Sequence, residues 1–89
     1  MEMLAGKVTH YFNRISVAVV HVKLELKTGD VIHVLGRNTE FTQTIGSMEI
    51  EHSKIYSCDP GMEIALKVVE PVYVGDNIFK VVEANPEQN

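Results

Sequence analysis

The residues of this chain that could do bond chemistry are its four histidines, its one cysteine and a closely spaced pair of glutamates. The histidines stand at 10, 21, 33 and 52. No two share the i, i+2 spacing that puts ligands on one face of a strand. His21 and His33 could meet across neighbouring strands, but a pair does not close a metal site, so no metal is expected. Cys58 leads into "DPG" (Asp59 to Gly61). A nucleophilic thiolate needs a base held beside it and a lowered pKa. His52 is near in sequence but nothing orients it, so Cys58 reads as a thiol at the edge of a turn. In "MEIEH", alternation turns Glu49 and Glu51 outward and Met48 and Ile50 inward. Carboxylates working as acid and base need unlike surroundings, and two exposed ones on a strand lack them. No catalytic residue and no cofactor is expected.

Recognition is better represented. In "RNTEFTQ", Arg37 can grip a phosphate or carboxylate through two parallel bonds. Thr39 and Gln43 are uncharged hydrogen-bonding groups, joined by Thr42 and Thr44, and Phe41 offers a stacking face. Single-stranded RNA is held by stacking plus cationic contacts. The simpler alternative makes Phe41 core and the rest a polar strand edge. In "RISVAVVHV", Ile15, Val17 and Val19 alternate with Ala18, Val20 and Val22. Both faces are apolar, so the face outside the core is covered or adhesive. Ala18, Val20 and Val22 are expected outside, as an interface for a partner or for self-association.

These residues need strands to hold them. Period-two alternation runs through the chain and helical periodicity is weak. "AGKVTHYF", "ISVAVVHVKLEL", "VIHVLG", "FTQTIGSMEIEHSKI", "MEIALKVV" and "NIFKVV" read as strands. Gly46 marks a bend inside the fourth. In "MEIALKVV", Met62, Ile64, Leu66 and Val68 share one face, with Glu63 and Lys67 on the other. "KTGD" and "YVGD" repeat one device: Gly29 and Gly75 supply a positive φ, and Asp30 and Asp76 bond a nearby backbone N–H. Six or seven short strands at regular turn spacing predict an all-β fold, a small closed antiparallel Greek-key-like barrel.

Eighty-nine residues suffice for one domain with one modest core. The barrel is expected over residues 1–83, with a flexible tail at 84–89. Eight basic against twelve acidic residues give a net charge of −4, with no basic stripe of the kind nucleic acid attracts. A lone cysteine excludes an internal disulfide, and no apolar run approaches the length of a membrane helix. A cytoplasmic protein without a membrane segment is expected.

The order of glycines and apolar residues in "GKVTHYFNRISVAVVHVKLELKTGDVIHVLG" and "TIGSMEIEHSKIYSCDPGMEIALKVVEPVYVGDNIFKV" resembles domain II of the translational GTPases, over residues 5 to 82. A closer likeness is to small stand-alone translation-factor-like proteins. The same domain also resembles the C-terminal piece of the collagenase-like peptidase family, and "GRNTEFTQTIGSM" (Gly36 to Met48) is the stretch that looks most like that group. The first resemblance implies the domain II type of barrel. No GxxxxGK[ST] loop is present, so GTP binding is not implied. Together the resemblances imply a stand-alone, translation-factor domain II-like binding module, non-enzymatic, for RNA or for a translation or RNA-modifying protein. Arg37, Thr39, Phe41 and Gln43 would form its groove. The alternatives are an accessory subunit completing a collagenase-like peptidase or RNA hydroxylase made from another chain, and a small-molecule binder in the barrel mouth.

Overall fold

The structure is a computed structural model that describes residues 1–82. The tail expected at 84–89 lies outside the described residues. Ten strands follow one another: β1 (Glu2–Phe12), β2 (Val17–Val22), β3 (Leu26–Lys27), β4 (Val31–Gly36), β5 (Thr39–Thr44), β6 (Met48–Ile50), β7 (Ser53–Ile55), β8 (Ser57–Cys58), β9 (Glu63–Lys67) and β10 (Asn77–Val81). There is no helix among the described residues, and every ladder is antiparallel. The all-β expectation holds.

The strand count rises because the long apolar stretches are interrupted. "ISVAVVHVKLEL" leaves its ladder after Val22, where the N–H groups of Lys23 and Leu24 both turn to the Ala5 carbonyl, at 2.7 and 3.2 Å. It resumes as β3. "FTQTIGSMEIEHSKI" breaks first in the connection that contains Gly46. It breaks again at Glu51 and His52, both in the left-handed region with φ of 49° and 69°.

Eight strands form one sheet in the order β5-β4-β10-β1-β2-β9-β6-β7, and β3 pairs with β8 beside it. The hydrogen-bonded ladder therefore does not close as the sequence led us to expect; β5 and β7 are its outer strands. A side chain spans part of the opening. Gln43 on β5 donates from Nε2 to the Lys67 carbonyl (3.1 Å), and its Oε1 accepts the Val69 N–H (2.8 Å). Its carboxamide thus stands in for one peptide unit between β5 and the end of β9. A buried amide with donor and acceptor both engaged avoids the penalty of an unmet polar group.

The two Gly-Asp motifs build the same turn. Asp30 N–H donates to the Lys27 carbonyl, and Asp76 N–H to that of Tyr73, both at 3.0 Å. Gly29 and Gly75 occupy the third position with φ of 95° and 97°, as a type II turn requires. Each aspartate returns Oδ2 to the first residue's N–H, Lys27 at 2.9 Å and Tyr73 at 2.8 Å. Each turn then clasps one residue from another segment through two backbone bonds. Gly29 N–H and Asp30 carbonyl engage Ile45 (2.9 and 2.8 Å), while Gly75 N–H and Asp76 carbonyl engage Val8 (2.8 and 2.9 Å).

The core lies inside the curled sheet, with Ile32, Val34, Met48, Ile64, Leu66 and Ile78 among its fully buried side chains. Ile64, Leu66 and Val68 share the buried face as the alternation of "MEIALKVV" requires, with Met62 packed against the core. Strand β2 corrects an expectation. Ala18, Val20 and Val22 are fully buried and point inward, not outward. β2 runs between β1 and β9, and Val20 stands opposite Val8 and Ile64, both core residues. The half-buried residues of the strand's outer face are Val17, Val19 and His21.

Candidate functional site

The groove expected on Arg37, Thr39, Phe41 and Gln43 does not assemble. Arg37 is exposed in the turn between β4 and β5, while Thr39, Phe41 and Gln43 occupy the buried face of β5. Phe41 packs into the core, so it has no free stacking face. Gln43 is committed to the backbone around β9. Thr39 donates its hydroxyl proton to Asp76 Oδ2 at 2.5 Å, in a buried contact. Gly36 lies against the same carboxylate: a Cβ there would fall 1.8 Å from Asp76 Oδ1. Three of the four residues therefore hold the fold, and the second aspartate turn is locked from two sides.

The histidines are scattered. His21 and His33 sit on strands separated by β1 and β10, so they do not meet. His10 packs at a tilt against Phe12, with ring centroids 4.4 Å apart and planes 52° apart. No group of three or more His, Cys, Asp or Glu able to hold a metal ion occurs among the described residues. His33 has an arrangement that strand spacing did not reveal. Its Nδ1 lies 2.9 Å from Glu2 Oε1 on β1, and its Nε2 lies 3.1 Å from Glu40 Oε2 on β5. The hydrogen bond to Glu2 leads in raising its pKa above the ordinary 6.5, against the opposing effect of burial; Glu40 adds to the rise. Both nitrogens face acceptors, so the doubly protonated ring satisfies the site. Cys58 is buried, within 3.7 Å of the Leu26 carbonyl. Burial pushes its thiol pKa up, the reverse of what a nucleophile needs.

The concave surface gathers around the tip of the β1–β2 hairpin. One groove of about 650 Å³ runs between Tyr11 and the segment from Val69 to Val74. A second, of about 570 Å³, crosses the outer face of β2, β9 and β6. Exposed apolar side chains cluster at both: Phe12 and Ile15 on the hairpin, with Val69, Tyr73 and Val74 on the facing segment. Ile15 is 57% exposed and Val74 68%. A turn does not require such residues, so "NRI" and "EPVYV" carried a signal that a reading of turns alone passes over. An apolar end of this kind can hold a macromolecular surface by burial.

An antiparallel all-β domain of this topology is a known one. The structure superposes on the crystal structure of the C-terminal domain of a Geobacillus thermoleovorans protein described as a U32 peptidase. The TM-score is 0.84 at 23% identity, covering 90% of this chain and 93% of that one. The selenomethionine variant of that domain gives 0.80 at 23% identity, over 88% and 98% of the two chains. In sequence, the chain is 28% identical over 79 residues to an uncharacterized protease of Methanocaldococcus jannaschii. That match takes in 88% of this chain and 19% of the relative, so the chain spans about a fifth of the curated protein's length. No family model matches the chain. Of the two resemblances drawn from the sequence, these relatives support the collagenase-like peptidase and not translation-factor domain II. No helix among the described residues is long and apolar enough to cross a membrane.

Proposed function

We propose that this domain is the accessory β-domain of a U32-type protease, a docking module without bond chemistry of its own. It places a substrate or partner against a catalytic domain, carried on the same or another chain, in the cytoplasm. The observation that carries this reading is the superposition of nine-tenths of the chain on a domain from such a protein. Two features of the site support it. The buried polar side chains of the expected groove are committed to the fold, and the exposed apolar residues gather at one end.

The test is reconstitution. A U32-type catalytic domain stripped of its C-terminal domain is mixed with this protein. Co-elution on gel filtration and a lower KM for peptide hydrolysis are the expected results. A catalytic domain that neither binds this protein nor changes its KM argues against the accessory role. If the protein instead retains single-stranded RNA in a salt-sensitive manner, the RNA-binding reading replaces the accessory one.

A further inference from the structure

The groove across β2, β9 and β6 has two unlike walls. Its floor and one wall are apolar: Val17 and Ala65 lie on neighbouring strands, and Phe12 and Ile15 rise beside them from the first hairpin. The other wall is the β6–β7 hairpin, which presents the carboxylates of Glu49 and Glu51. Neither forms an ion pair within the described residues. Lys54 stands directly across from Glu49, yet its ammonium extends over the Tyr56 ring, 5.9 Å from the centroid. Lys67 also lines the groove, but its Nζ is occupied by the Ile15 carbonyl at 2.9 Å. Lys54 is thus turned to Tyr56, and Lys67 holds its charge at the Ile15 side of the groove, so neither forms an ion pair with Glu49 or Glu51.

The hairpin tip adds an independent oddity. Two-residue turns with both φ values positive favour Asn-Gly or Asp-Gly. Here Glu51 and His52 hold those angles, at a conformational cost to any residue with a Cβ. The angles are those a two-residue turn needs to follow the twist of β6 and β7.

We propose that this groove binds an extended peptide segment in which a lysine or arginine neighbours an apolar side chain. The aliphatic stem and apolar neighbour lie on Val17, Ala65, Phe12 and Ile15, and the cation reaches Glu49 and Glu51. Long basic side chains suit such a surface because stem and head want different surroundings. The inference rests on the docking role proposed above and names the chemistry of what is docked.

The probe is a synthetic peptide alternating leucine and arginine, followed through the backbone amide shifts of the labelled protein, with an alternating leucine and glutamate peptide as control. The basic peptide is expected to shift Val17, Glu49 and Ala65, and to bind more weakly as salt rises. Glu49→Gln combined with Glu51→Asn should weaken it roughly fivefold, two exposed charge contacts being removed. Asparagine tolerates the left-handed region better than glutamate, so the variant's melting temperature should not fall. Equal shifts with the acidic peptide would overturn the proposal. So would shifts confined to another face, or no shifts at millimolar basic peptide. If binding to a catalytic domain persists while the peptide fails, only the groove assignment falls and the accessory role stands.

Discussion

Protonation of His33 couples the start of β1 to the outer strand β5 through β4. With carboxylates on both ring nitrogens, the folded protein binds this proton more tightly than the unfolded chain does. A pKa raised on folding contributes stability that is fully present below the ordinary value of 6.5 and is lost as pH rises through the raised value. Thermal melts should therefore show the midpoint falling as pH is taken upward through that window. Glu2→Gln should flatten the slope, since Glu2 is the leading cause. A pH-independent midpoint in the parent protein, or an unchanged slope in the variant, would count against the bridge. Nothing in the sequence marked this trio. Glu2 and His33 are far apart in the chain, and only the placement of β10 between β1 and β4 brings them together. The Gln43 carboxamide was hidden for a related reason. Its polarity suggested a ligand, whereas the physical need was a surrogate peptide group at an opening in the ladder.

Among the elements, the twin turns were the most legible. Their glycines and aspartates do as their types require, because a type II turn is decided by four adjacent residues. Gly29 and Gly75 have nothing within 4 Å of where a Cβ would sit. The cost of a side chain there is conformational alone. Gly29→Ala and Gly75→Ala should each lose about 1–2 kcal/mol, read as lower urea midpoints with unchanged slopes. Midpoints that do not move would mean the turns relax to another type at no cost. Strand β2 was less legible, and the reason is local. Alternation fixes which residues share a face, but when both faces are apolar it does not fix which face is inside. That choice came from the pairing of Val20 with Val8 and Ile64, which no window of neighbouring residues contains.

At the scale of the whole molecule, phase has a price in stability that can be measured. A domain of this size is stable by roughly 0.05–0.15 kcal/mol per residue. Burying an unpaired ammonium costs on the order of 4 kcal/mol or more, a large share of that total. Val20→Lys should therefore abolish the cooperative transition and the dispersion of the amide spectrum. Val19→Lys, on the half-buried outer face between His10 and Ala65, should stay folded. A folded Val20→Lys protein would require β2 to rotate its faces. The all-β class was readable because strand periodicity and turn chemistry recur along the whole chain. The open ladder was not, since closure depends on the angle at which distant strands arrive. The apolar end was missed because, apart from Phe12 at the end of β1, its residues lie in connections, where apolar character follows no period.

The two clasps made by the twin turns differ in reach. Ile45 lies in the connection just past the β4–β5 hairpin, so the first clasp joins neighbouring parts of the chain. Val8 is near one end of the described chain and Gly75 near the other, so the second clasp closes almost the full loop. Loop-closure entropy must be met before distant contacts give anything back. On loop-closure entropy the Gly29 turn is expected to form before the Gly75 turn, an order that folding and unfolding rates of Gly29→Ala and Gly75→Ala would read. One local device, used twice, makes a short-range clasp at Ile45 and a long-range one at Val8.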